Sequence, residues 1–277
     1  MKKTLTILFS AALALCLITG PAQAQGNFSF KVTGGLAYAQ AADINDGLTG
    51  PSNFWDDYAT LIGYTTSNGY AAAHLGMDFG AELCLEVAPN LNVGLGVGYL
   101  QVSKSSVLDI SGYGMSYTAT WDPKMSAIPI TLTLYFDLPV GPAVKVTLHG
   151  GLGYYFAKYT DSQNIIGDAE TYDTSAGGLG FHGGIGLEFK LSPQIGFLIE
   201  GRGRYASFGN VTGTAAWSGG STTGKLYYFE SNILGSNWYP IVTVSETLPS
   251  GTGLRNVREA KIDFNGFSAR LGFVFHI

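Results

Sequence analysis

Cysteine is nearly missing: the chain of 277 residues carries only Cys16 and Cys84. Cys16 lies in an N-terminal stretch read below as removable. Cys84 would then stand alone, which excludes an intramolecular disulfide and suits a small space-filler in a strand. Long apolar runs are missing too. Beyond the N-terminus nothing approaches the ~20 residues that a membrane helix needs. Charged residues make up only 13% of the chain, and their balance is acidic, with a formal charge of −5. A nucleic-acid partner would need a basic face, so none is expected. What is abundant is glycine and aromatic side chains: 39 Gly, 16 Tyr and 16 Phe.

The first residues address the compartment. Met1-Lys2-Lys3 is a positive n-region, LTILFSAALALCLI an apolar h-region, and Pro21-Ala22-Gln23-Ala24 an A-x-A cleavage site before Gln25. Residues 1–24 are therefore read as a bacterial secretory signal peptide and 25–277 as the mature domain. Loss of Lys2 and Lys3 shifts the formal charge from −5 to −7. A lipoprotein anchored at Cys16 is disfavoured, because Leu15 stands where a small residue is required.

Alternation is the main structural signal, since a half-buried strand repeats every two residues. Eight segments show it. They begin near Phe28, Leu75, Leu91, Ile128, Val144, Leu179, Ile195 and Phe267. One face of all eight is free of charge, and every charge falls on the other. The links alternate between short and long. Pro89-Asn90, 138–142 and Ser192-Pro193-Gln194 are tight turns, whereas 40–73, 104–126, 159–177 and 207–259 are long and polar. Aromatics mark both ends of the apolar face. Tyr38, Tyr99, Tyr154, Phe156 and Tyr205 lie near the long links, and Phe28, Phe136, Phe189 and Phe275 near the short turns. Two aromatic belts and this loop asymmetry predict an all-β, closed, antiparallel up-and-down barrel of eight strands in an outer membrane, with long extracellular loops. Closure follows because an unpaired strand edge cannot be satisfied in hydrocarbon. Segments 225–232 and 238–246 also have strand composition; they are read as an extramembrane hairpin, with a ten-stranded barrel as the alternative.

On this layout, and on segments such as IPITLTLYFDLP, HGGLGYYFAKY and the terminal GFSARLGFVFHI, the mature chain resembles the small outer-membrane β-barrel proteins of the OmpA-, OmpX- and OmpW-like kind. The last segment resembles the C-terminal signal read by the barrel-assembly machinery, although the chain ends in Ile277 rather than Phe or Trp. The resemblance implies outer-membrane lipid and lipopolysaccharide as surroundings and the assembly machinery as a partner.

The alternation sends Glu82, Glu86, Lys145, His149, His182, Glu188, Lys190, Glu200, Arg202, Arg204 and Arg270 into the lumen. Eight strands leave an interior just wide enough for side chains, so these groups should pair with one another as a plug. Inward glycines (Gly76, Gly80, Gly94, Gly96, Gly184, Gly186) leave space that keeps a narrow channel in play. His149 and His182 lack a third ligand for a metal, and both point away from the bilayer where a lipid hydrolase would need them. The run DINDG (43–47) places Gly at the fifth position, one too early for a calcium loop, and is read as a polar turn. Asp56-Asp57 beside Phe54-Trp55 could meet a cation or a partner. Gly201-Arg202-Gly203-Arg204 is assigned to lumen charge rather than phosphate binding, and the sequon at Asn210 to chance. No catalytic, cofactor or metal residue is assigned. The expected role is structural or interactive, with a narrow passive channel second and a membrane hydrolase third.

Overall fold

The computed structural model describes residues 28–235 and 237–277. The signal-peptide reading of residues 1–24 lies outside the described residues. Eight strands form the barrel: β1 (Phe28–Ala39), β2 (Leu75–Ala88), β3 (Leu91–Ser103), β4 (Lys124–Pro139), β5 (Val144–Ile165), β6 (Asp168–Lys190), β7 (Ile195–Tyr205) and β8 (Gly266–His276). Each pairs antiparallel with its neighbour in the chain. β8 returns to β1 with a register running from Ser29↔His276 to Ala39↔Gly266, and so closes the ring. Pro129 interrupts one ladder: β3–β4 pairing lapses after Val97↔Ile130 and resumes at Leu100↔Ala127.

The barrel is inside-out relative to a soluble protein. Leu36 is 72% exposed and Phe181 61%, while Glu188 retains 2% and Arg270 5%. The apolar face thus points outward and the charges point inward. The outer face also marks where the apolar band ends. Along β3 it changes from Val97 and Tyr99 to Gln101 and Ser103, and along β5 from Tyr154 and Phe156 to Lys158 and Thr160. Along β4 and β6 it changes at Ile128/Ser126 and Leu179/Ser175. Below this line the outer face is built for hydrocarbon, and above it for water.

At the same level the inner face changes in the opposite sense. Leu100, Val102, Met125, Ala157, Tyr159 and Trp121 are buried in one apolar core. Because inward positions here are apolar, the long links expected as extracellular loops fold into a cap of strands and a helix. β5 and β6, at 22 and 23 residues, rise well beyond the bilayer. Ser106–Gly112 and Met115–Trp121 form a second hairpin joined to β5. Gly220–Ser231 pairs with Tyr239–Ser245 outside the ring, so these segments add no membrane strands.

Helix α1 (Ala42–Leu61) closes the top. It contains DINDG and Pro51, so a segment that reads as a turn is instead helical. Tertiary contacts override the weak propensity here. Asp43 accepts from Arg258 Nη2 at 2.8 Å. Asn45 accepts from the Ala73 amide and the Tyr70 hydroxyl, both at 2.8 Å, and donates to the Gln40 carbonyl at 3.2 Å. Gly47 and Gly50 let the helix lie against Val242 and Pro240, with no room for a Cβ at either position.

Candidate functional site: a filled polar lumen

Between the cap and the short turns, the inward side chains form two linked clusters. The upper one centres on Glu200 and Asp78. Glu200 on β7 pairs with Arg270 of the adjacent β8 and with Arg202 Nε at 3.4 Å, and the His149 ring lies beside it, Nε2 3.6 Å away. Asp78 on β2 pairs with Arg204 at 3.3 Å and Arg270 at 3.7 Å, and accepts from the Ser268 hydroxyl at 2.6 Å. Arg204 also donates through Nε to the Phe264 carbonyl at 3.0 Å, which ties the lumen to the underside of the cap. Glu82 accepts from the Tyr135 hydroxyl, and Lys31 sits 3.4 Å over the Tyr135 ring.

The lower cluster lies near the short turns. Lys145 bridges Asp137 at 3.0 Å and Glu188 at 2.8 Å. His276 Nε2 approaches Glu188 at 2.6 Å, and Thr147 and Asn92 donate to Asp137. The inward cations Lys31, Lys145, Arg202, Arg204 and Arg270 face the anions Asp78, Glu82, Glu86, Asp137, Glu188 and Glu200. Five charges nearly balance six, as a low-dielectric interior requires.

The inward glycines leave little free space, because side chains from neighbouring strands occupy it. The His149 ring covers Gly184 and the His182 ring covers Gly151; a Cβ at either glycine would lie 2.9 Å from imidazole atoms. Thr131 and Leu198 crowd Gly96 and Gly186 in the same way. His182 Nε2 meets the Thr133 hydroxyl at 3.0 Å. The cavity bounded by Lys31, Glu82, Glu200, Arg202 and Arg270 measures about 30 Å³. That is room for a water molecule or two, not for a solute.

The structure gathers ten of the eleven residues that alternation sends inward. The correction is Lys190, which ends β6 beside a short turn and is exposed at the rim, where its long side chain reaches water. Lys31, Asp78, Tyr135, Asp137 and His276 also belong to the network. Their parity along the strands carried that signal: Lys31 alternates with Phe30 and Val32, and Asp78 with Met77 and Phe79. Of the belt aromatics, Phe28, Tyr99, Phe136, Tyr154, Tyr205 and Phe275 are exposed on the outer face, while Tyr38, Phe156 and Phe189 are half-buried there. Tyr38 stacks on Phe267 at 5.3 Å.

In the cap, the acidic pair is engaged internally. Asp57 accepts from Tyr239 at 2.7 Å and Asn237 at 2.8 Å, and these bonds hold its carboxyl below the usual range. Asp56 accepts from Thr66. Asp161, above the membrane on β5, is buried, and burial pushes its carboxyl up to about 6 although Gln163, Tyr159 and the Asp122 amide all donate to it. No group of three or more His, Cys, Asp or Glu suited to a metal ion occurs among the described residues.

A family model described as the outer membrane protein beta-barrel domain matches residues 10–229. Among solved structures, the chain is similar to a major outer membrane protein from Thermus thermophilus. The two share 15% identity, with 90% of this chain and 99% of that one covered and a TM-score of 0.42. It is also similar to the outer membrane protein OprG from Pseudomonas aeruginosa, at 12% identity, 91% and 97% coverage and a TM-score of 0.41. No match was found among curated proteins.

Proposed function

Because the chain belongs to the outer membrane protein β-barrel family, we propose that it is a closed anchor in the bacterial outer membrane that holds a folded cap as an interaction surface. The observation that carries this reading is the filled interior. Ion pairs occupy the lumen at bilayer depth, and an apolar core under α1 continues the filling above it. A barrel sealed twice offers no path for solutes, so its work is done on the outside. The packing of the cap agrees with this: residues of its helix and hairpins share one buried apolar core, which suits presentation of a fixed surface. The reading is non-enzymatic. The two histidines that could serve hydrolysis are inside the barrel, each packed on a glycine, with His182 hydrogen-bonded to Thr133.

The test is electrical. Refolded protein added to planar bilayers is expected to give no steady single-channel events in 1 M salt on the order of minutes. Regular conductance steps from folded protein would overturn the closed-anchor reading in favour of a narrow channel.

A further inference from the structure

The membrane-distal end of the cap carries a surface that the closed barrel does not need. The last turn of α1, the segment after it and the tip of the Ser106–Trp121 hairpin meet there. The hairpin joins β5 at Ala119↔Ile165, nine residues beyond Phe156, or roughly 30 Å of strand above the apolar band. Tyr64 packs edge-on against Tyr113, with ring centroids 5.4 Å apart, and lies 6.4 Å from Tyr117. Two glycines make room for these rings. A Cβ at Gly63 would fall 2.6 Å from the Tyr113 hydroxyl, and one at Gly112 would fall 2.8 Å from the Tyr64 ring. The cluster is built, yet it is not a core: Tyr113 is 77% exposed and Leu61 73%, with Tyr58, Met115 and Tyr117 also exposed. A contiguous apolar patch left open in water marks an interaction site.

Charge narrows the partner. Residues 50–73 and 105–121 contain no Lys, Arg or His, but they carry Asp56, Asp57 and Asp109. None of these three forms an ion pair among the described residues; they accept from the neutral groups of Thr66, Asn237, Tyr239 and Asn68. The last turn of α1 holds no basic residue, so the negative end of its dipole is uncompensated beside the rings. Exposed tyrosine faces in a negative field are complementary to a planar cation, which gains from the ring quadrupole and from the carboxylates together. A phosphorylated saccharide would meet like charge. A neutral glycan could stack on the rings but would draw nothing from the field.

We propose that this surface docks a basic protein segment through its arginine or lysine side chains. The inference rests on reading the cap as the working part of a closed anchor. Its test uses the full barrel in lipid nanodiscs and a fluorescent peptide of four Gly-Arg-Ser repeats. A matched Gly-Glu-Ser peptide and maltoheptaose serve as the other arms. The arginine peptide is expected to bind and the glutamate peptide to fail. In ~0.3 M salt, where general Coulomb attraction is largely screened, replacing both Tyr113 and Tyr117 by Ala should weaken binding roughly tenfold. Both positions are exposed, and an unchanged gel shift together with resistance to limited proteolysis equal to the wild type would show that barrel and cap of the variant fold. Equal binding by the variant, or binding of maltoheptaose in place of the arginine peptide, would overturn the proposal. A silent bilayer alongside a failed peptide assay would remove this surface assignment and leave the closed anchor standing. Channels in the bilayer would remove the anchor instead.

Discussion

Replacing Glu200 by Ala is expected to cost about 3–5 kcal/mol of barrel stability, read as a fall in the urea midpoint of the folded band on unboiled gels. The reason is asymmetric. Glu200 is 4% exposed and answers Arg270 and Arg202 at once. Its removal takes the carboxylate from two guanidinium groups in a low-dielectric interior; Arg270 keeps Asp78 at 3.7 Å, but Asp78 already serves Arg204. Glu200→Gln keeps the shape and some hydrogen bonding and should fall between the wild type and Glu200→Ala. Asp173→Asn, which breaks the exposed pair with Lys158, should change stability by no more than ~0.5 kcal/mol. If Glu200→Ala matched Asp173→Asn, the lumen network would not be a structural plug.

A second large effect is expected in the cap. A Cβ at Gly50 would overlap the Pro240 carbonyl oxygen, which is backbone and cannot swing away. Gly50→Val should therefore lift α1 off the Tyr239–Ser245 strand at a cost of ~3 kcal/mol or more, above the common range for overpacking because the obstacle is main chain. The barrel below need not change. Limited proteolysis should cut the variant between residues 40 and 73 at protease levels that leave the wild type intact, while the gel shift of the barrel persists. Resistance equal to the wild type would mean that the helix docks differently.

The membrane part of this architecture was legible because the bilayer imposes simple rules. Outward residues must be apolar, so alternation gave the eight strands, and parity gave the facing of Glu188, Arg202 and Arg270. The end of that rule is also where the reading failed. Above Phe156 the outer face turns polar and the inner face apolar, which leaves period two intact but inverts its sense. The long β5–β6 hairpin and the hairpin ending at Trp121 then read as polar links. α1 was hidden for a different reason. Gly47, Gly50 and Pro51 argue against a helix locally, and only the closeness of Val242 and Pro240 makes the glycines necessary. The inward glycines misled in the same way. Gly184 looked like open space, but the His149 ring lies against it, a contact between neighbouring strands that periodicity along one strand cannot show.

The filled lumen can be probed without any mutation inside it. Cys84 is a free thiol on β2, 1% exposed, and its parity faces the interior between Glu82 and Glu86. It is the single cysteine in residues 25–277. Folded protein in lipid vesicles should show no labelling by a water-soluble methanethiosulfonate reagent over hours, and full labelling after denaturation. Rapid modification of Cys84 in the folded barrel would mean that water fills the lumen, and would contradict the closed anchor directly.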